Sequence, residues 1–489
     1  MPYINNIVLI VYAVATVIAM VRVLMDRRQP AKTIAWLLVL TFLPGIGIVL
    51  YFFFGQNTRK ERIISQHSLD QLTSKKMMEY VEQRNLTLPH EHKSLIQLFI
   101  NQGWALPMRG TITSVYTDGY QFFPALLAAI RKAQHHIHIV TYIFEDDPLG
   151  NLVADALIEQ AQKGVEVRVI YDDVGCWKVR NRFFERMEKA GVEIYPFMPV
   201  RFPAFTSKVN YRNHRKICVI DSNVGFIGGM NIALRYVKGE KKRGRYTGWR
   251  DTHLKIEGIA VAGMQCAFLT DWYFVNRVLI NDKRYYLQVK KEGQVEKSEI
   301  SNTDNKQQLI QLVTSSPTSQ WAEIEQGYVH ILLSARKYVF METPYFLPTE
   351  PILFAMRTAA LAGIDVRLMI PLHIDAKLVD WASRSYVIQT VEAGVKVYLY
   401  KTTFNHSKLL ICDDTLSSCG SANIDFRSFD NNFEANVFVY DSAVALQLKE
   451  VFLNDQAQCV LLDDITNLEH RPFYKRFWES LVRLLSPLL

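Results

Sequence analysis

A duplicated α/β architecture, with two lobes of mostly parallel sheet flanked by helices and an apolar hairpin ahead of them, is the fold this sequence predicts. Three observations point to it. Short motifs recur in the same order in the two halves, helix-like stretches alternate with glycines and β-branched runs, and two uncharged apolar runs stand at the N-terminus.

The repeat is legible as three matched pairs. Residues 138–144 resemble 339–346, residues 164–170 match 363–370, and residues 190–195 match 393–398. Each pair carries a helix-like stretch, then a glycine, then a short β-branched run, the rhythm of βα units around a buried sheet. Two copies in one order imply duplication of one domain. The expected boundaries are a transmembrane hairpin over 1–57, a juxtamembrane connection over 58–108, a first lobe over 109–289, an inter-lobe connection over 290–308, and a second lobe over 309–489 with a C-terminal amphipathic helix.

The N-terminal runs cover 7–21 and 33–54. As one helix the second would rise about 33 Å, enough to cross a hydrocarbon core of roughly 30 Å. Pro44, Gly45 and Gly47 interrupt it, which membrane helices tolerate. Trp36 and Tyr51, near opposite ends, read as interfacial anchors. The first run reaches Met25 if Arg22 snorkels. No Lys or Arg precedes it and a second run follows at once, which argues against a cleaved signal peptide. Residues 4–54 therefore read as two membrane helices joined by 26–32. Arg27, Arg28 and Lys32 lie in that loop, against Arg59, Lys60, Arg62, Lys75 and Lys76 beyond the second helix, and this balance places the body on the cytoplasmic side.

Composition narrows the class further. The chain has 489 residues, 49% hydrophobic and 21% charged, which excludes a disordered protein and fits two or three domains. Six cysteines, with no C-x-x-C pair, exclude a disulfide scaffold and fit a reducing compartment. The net charge of +8 points to an anionic partner, nucleic acid or a phospholipid surface.

The chemistry sits inside the repeat. His214, Lys216 and Asp221 are followed by Gly228, Gly229 and Asn231; His406, Lys408 and Asp413 are followed by Gly420, Ser421 and Asn423. The spacings from each His are two to the Lys, seven to the Asp and seventeen to the Asn in both copies. An apolar β-rich segment follows each His, and residues two apart on a strand share a face, which sets each His beside its Lys. Asp221 and Asp413 close each motif at the opposite parity, at the strand end, where they hold structure. A phosphodiester under attack builds charge on its non-bridging oxygens, and two lysines and two asparagines supply donors for it without a metal. One neutral imidazole attacks phosphorus and the other, protonated, serves the departing alkoxide. Asp251 and Glu434, downstream of the two copies, are the carboxylates that would orient the imidazoles.

The doubled H-x-K-x4-D-x6-G-[GS]-x-N pattern resembles the phospholipase D superfamily, and the whole chain, from the N-terminal hairpin to residue 489, is similar to its bacterial cardiolipin synthases. That resemblance implies one active site at a pseudo-twofold interface. It also implies phosphatidyl transfer between two phosphatidylglycerol molecules, giving cardiolipin and glycerol through a phosphohistidine. His214 becomes the nucleophile and His406 the acid. Lys216, Lys408, Asn231 and Asn423 become phosphate ligands, Ser421 a phosphate contact, and Asp221 and Asp413 members of the catalytic motif. No cofactor is implied, the partners are phosphatidylglycerol and cardiolipin in an anionic bilayer rather than nucleic acid, and the location is the bacterial inner membrane with several passes.

Two other functions fit parts of the pattern: a phospholipase D-type hydrolase, or transferase to another alcohol, and a membrane-tethered nuclease. The lack of a helix-turn-helix or RNP-like signature disfavours the nuclease. His138, His330 and His373 read as satisfied core residues, and His135 and His136 as the approach to a strand. Residues 238–245 read as a solvated basic loop, and 200–205 serve equally as a surface loop or a pocket wall. Residues 472–485 have helical apolar spacing that suits core packing or in-plane membrane contact.

Overall fold

The computed structural model describes residues 2–26, 30–43, 45–55, 88–103, 105–200, 210–242, 245–280, 282–285, 307–462 and 472–486. Arg27, Arg28, Pro44, the basic residues Arg59, Lys60, Arg62, Lys75 and Lys76, residues 201–205, part of the 238–245 run and 290–306 of the inter-lobe connection lie outside them. The chain forms two compact units, residues 1–62 with 200–211, and residues 63–199 with 212–489.

In the first unit α1 (Pro2–Met25) is followed by α2 (Pro30–Phe42) and α3 (Ile46–Phe54). The second apolar run is thus not the single span expected. Gly45, at φ 78°, heads α3 after a break, and the 13 residues of α2 rise only about 20 Å. Trp36 and Tyr51 consequently do not mark opposite ends of one helix; their rings meet edge to face at 5.6 Å. Among the described residues no helix is long and apolar enough to cross a membrane. The outer surface is apolar even so, with Ile10, Val14, Ile18 and Phe42 exposed.

The second unit is built on one continuous mixed sheet. The first repeat supplies β1 (Pro107–Tyr116), β2 (His136–Thr141), β3 (Glu166–Asp172), β4 (Glu193–Phe197), β5 (Ile217–Ile220), β6 (Val224–Gly228) and β7 (His253–Glu257). The second supplies β8 (Gln308–Ser315), β9 (Tyr338–Glu342), β10 (Asp365–Pro371), β11 (Lys396–Tyr400), β12 (Leu409–Cys412), β13 (Leu416–Gly420), β14 (Asn432–Tyr440) and β15 (Cys459–Leu461). Their order is β15-β11-β10-β9-β12-β13-β14-β8-β1-β7-β6-β5-β2-β3-β4. The lobes join where β1 and β8 pair antiparallel, Pro107 opposite Gln311 and Gly110 opposite Gln308.

Duplication holds, but strand direction differs from a mostly parallel sheet. Of the neighbouring strands in that order, β2-β3-β4 and β9-β10-β11 run parallel and the rest pair antiparallel. The strands after each motif histidine, β5-β6 and β12-β13, are hairpins, and a short turn between neighbours enforces antiparallel pairing. Gly164 at φ 91° and Gly363 at φ 89° occupy matching left-handed positions after matching helices, Pro148–Gln162 and Glu350–Leu361. One apolar core extends across both lobes, taking in Ile217, Val219 and Ile256 from the first and Ile310, Leu409 and Val437 from the second. It leaves the lobe junction little freedom to shift, because close-packed interiors resist displacement.

The 58–108 stretch is more than a connection. Its helix α4 (Lys93–Gly103) buries Leu95, Ile96 and Phe99 in the second-lobe core, with Phe99 and Phe438 rings 4.5 Å apart, and β1 begins at Pro107.

Candidate functional site

His214 and Lys216, and likewise His406 and Lys408, lie in the segments leading into β5 and β12, not on those strands. Strand parity therefore does not pair them. Each lysine instead curls back onto its own histidine: Lys216 Nζ donates to the His214 carbonyl at 2.6 Å, and Lys408 Nζ donates to the His406 carbonyl while lying 3.0 Å from His406 Nδ1.

The orienting carboxylates are exchanged between the repeats. Asp251, from the first, sits 2.7 Å from Nδ1 of His406. Glu434, from the second, sits 3.0 Å from Nδ1 of His214. Two short parallel pairings make the crossing: Trp249–Arg250 with Phe404–Asn405, and Arg212–Asn213 with Asn432–Phe433. They are sealed by His406 N–H donating to the Arg250 carbonyl at 2.6 Å and His214 N–H to the Phe433 carbonyl at 2.9 Å. Each half-site is incomplete without the other repeat.

The electrostatics follow from burial. Asp251 and Glu434 are fully buried, and the His214 and His406 side chains keep 12% and 6% exposure. Burial lowers the pKa of His214, with Lys216 adding to the shift and Glu434 opposing it. Burial, then the Lys408 and Lys216 ammoniums, hold His406 well below the usual imidazole range. Both rings are thus neutral at rest, and each responds to both lysines, which ties the two motifs into one site. Burial also brings Lys216 down to about 7 and Lys408 to about 8. Burial raises Asp251. Glu434 is likewise opposed by burial, but His214 and Lys216 outweigh it and keep the carboxylate ionised.

The repeats differ at one telling position. Ser421 Oγ donates to Glu434 Oε2 at 2.5 Å and accepts from Ala435 N–H at 3.0 Å. At its counterpart Gly229, a Cβ would stand 2.1 Å from Asp251 Oδ1, so the carboxylate occupies the space a side chain needs. Asn231 donates to Tyr236 OH at 2.8 Å, and that hydroxyl lies 3.5 Å from His406 Nδ1. Asn423 donates to Asp425 at 3.0 Å, while its buried Oδ1 has no hydrogen-bond partner among the described residues.

Asp221 and Asp413 stay outside this group, despite belonging to the motif. Both take left-handed backbone, φ 52° and 50°. Asp221 accepts the N–H groups of Gln134, His135 and His136, and Asp413 those of Arg336, Lys337 and Tyr338, all at 2.7–3.0 Å. They pin β2 and β9 to the hairpin turns. Asp221→Ala should therefore lower stability by about 2–4 kcal/mol, since three amides lose an acceptor, while turnover per folded molecule stays within a few-fold of the parent. Denaturation together with active-site titration checks this; a full-stability variant with no turnover would place Asp221 in the chemistry.

Sequence reading missed the aromatic walls and two arginines. Tyr142 meets the His214 ring edge-on at 5.0 Å, and Trp249 lies 5.2 Å from the His406 ring. Arg215, between the motif His and Lys, pairs with Asp271 at 2.6 Å and donates to the Glu434 carbonyl at 3.1 Å. Arg250 pairs with Asp455 at 2.6 Å, tying the segment that carries Asp251 to the second lobe. The one available signal was the mismatch of Arg215 with Ser407 at an otherwise repeated position. Among the other histidines, His138 is a satisfied core residue, bonded to Gln265 and Arg168, whereas His330 is half-buried and His373 exposed.

The family described as cardiolipin synthase, PLD-like domain, matches residues 126–241 and 328–456, and the phospholipase D-nuclease N-terminal family matches 14–56. Cardiolipin synthase 2 of Bacillus anthracis is 40% identical over 473 residues, covering 96% of this chain and 88% of that protein. A cardiolipin synthase of Geobacillus kaustophilus is 40% identical over 471 residues (95% and 90%), and one of Clostridium perfringens 36% over 470 (95% and 95%). The crystal structure of phosphatidylserine synthase from Haemophilus influenzae shares the fold, with a TM-score of 0.61 at 14% identity over 82% of this chain and all of that one.

Proposed function

We propose a division of labour within the site from one premise: the chain belongs to the cardiolipin synthases of the phospholipase D superfamily. It is a phosphatidyltransferase. The observation that carries the proposal is the exchange of carboxylates, by which each imidazole is held by the other repeat and His406 feels the charge of His214. His214 Nδ1–H, directed at the ionised Glu434, leaves the Nε2 lone pair for phosphorus. Attack forms the N–P bond and breaks the bond to the glycerol headgroup, whose oxygen takes a proton from His406. The incoming anionic diester supplies the negative charge that offsets burial and allows His406 to be protonated. A second phosphatidylglycerol hydroxyl then gives its proton back to His406 and displaces His214, yielding cardiolipin. Lys216 and Lys408 stabilise charge on the non-bridging oxygens, and Asn231, Asn423 and Ser421 assist once the phosphate takes over the bonds they donate at rest to Tyr236, Asp425 and Glu434. One phosphodiester is broken and one made, with no nucleotide needed.

The enzyme is membrane-associated, and we place the apolar N-terminal helices in the inner-membrane bilayer with the catalytic body on the cytoplasmic side.

With phosphatidylglycerol alone in detergent, the purified protein should release glycerol and a four-chain lipid in equal amounts. Phosphatidic acid as the sole lipid product would replace the transferase reading with a hydrolase.

The lysines set a pH dependence. Each is charged below its lowered pKa, and the charged form binds phosphate, so kcat/KM, which reports the free enzyme, should fall as pH rises through about 7 to 8. His214, already neutral there, adds no opposing limb. A kcat/KM that climbs from pH 6 to 9 would contradict this assignment.

A further inference from the structure

The C-terminal helix α6 (Phe473–Arg483) packs on α5 (Lys377–Glu392) with the wrong face for a soluble protein. Its buried positions are Glu479 and Val482, followed by Ser486 just beyond its end. Arg483 anchors it by donating to Ser385 at 3.3 Å and lying over the Tyr386 ring at 4.7 Å, and Trp478 meets Trp381 edge to face at 6.0 Å. On the side turned away, Phe473 is 81% exposed and Tyr474, Phe477, Leu481 and Leu484 are also exposed, and Trp478 at the edge of the contact stays half open. A surface helix normally turns its apolar stripe inward; this one turns a carboxylate in and its aromatics out. Its other charges, Lys475, Arg476 and Arg483, are all basic.

We propose that α6 is an in-plane membrane-binding helix, which seats the second lobe on an anionic phospholipid surface independently of the N-terminal helices. Large aromatics beside basic residues are the composition that settles at a lipid interface, where rings enter the acyl boundary and cations meet headgroup phosphates. The charge sign chooses the partner: the exposed cations of α6 complement an anionic bilayer. The inference rests on the functional reading, because a transferase acting on two lipids gains from holding its second lobe against the layer that supplies them.

The test uses the full chain in phosphatidylglycerol vesicles, with Phe477→Cys carrying an environment-sensitive fluorophore; the native cysteines are buried or half-buried. Emission should shift to the blue relative to detergent-free buffer and lose most of its intensity to lipids spin-labelled near the headgroup. Adding Lys475→Glu and Arg476→Glu should reverse both effects. A water-exposed probe in protein that still makes cardiolipin would overturn the inference and leave the reaction intact. A blue-shifted probe that spin-labelled lipid does not quench would mean that protein, such as a second copy of this chain, covers the face, and would overturn it too. Cardiolipin assayed on the same vesicles separates either failure from failure of the functional reading.

Discussion

His214→Ala and His406→Ala should each reduce cardiolipin formation by a factor on the order of 10⁴–10⁶, the scale on which loss of one member disables a cooperating catalytic set. Their residual chemistry should differ. A phosphatidyl ester of p-nitrophenol has a leaving group that needs no proton, so the His406→Ala enzyme should release one burst of nitrophenolate and then stall, with its phosphohistidine waiting for a base to activate the acceptor. The His214→Ala enzyme should give no burst. A burst from His214→Ala alone would exchange the two roles, and equal bursts would remove the distinction between them.

Glu434→Gln and Asp251→Asn should each cost about 10⁴-fold in kcat, as when the orienting carboxylate of a catalytic triad is replaced by an amide and the wrong tautomer results. The informative part is which step fails. Glu434 lies in the second repeat yet bonds His214 of the first, so Glu434→Gln should abolish the nitrophenolate burst. Asp251 lies in the first repeat yet bonds His406, so Asp251→Asn should keep the burst and lose transfer to the acceptor. Rapid-quench kinetics on the two variants decide it. Should Asp251→Asn remove the burst and Glu434→Gln spare it, the carboxylates would act within their own repeats.

Why the exchange was illegible in the sequence follows from its cause. Asp251 and Glu434 were identifiable as carboxylates downstream of each motif, but the partner of each is set by the short parallel pairings that cross the lobe junction, and two-residue strands leave no periodic signature. The motif itself was legible because His, Lys, Asp, Gly and Asn recur at identical spacing in both copies, a pattern packing alone does not demand. Asp221 and Asp413 were legible too, since strand-end aspartates in left-handed turns bind backbone amides in many folds. The mixed strand direction was not: glycine-flanked β-branched runs look alike in either orientation, and only the hairpins after the histidines settle it. In the N-terminal region hydropathy found the apolar run but not the break before Gly45, which brings the Trp36 and Tyr51 rings together edge to face. Helix α4 was overlooked because its apolar residues belong to a core built by strands far along the chain.

That a single phosphorus is held between both lobes is tested most directly by quenching His406→Ala enzyme after exposure to the nitrophenyl substrate and locating the adduct by mass spectrometry under alkaline conditions that spare phosphohistidine. One phosphatidyl group per chain, on the peptide containing His214, is the predicted outcome. Two groups per chain, or a group carried elsewhere than His214, would contradict a shared site with divided roles.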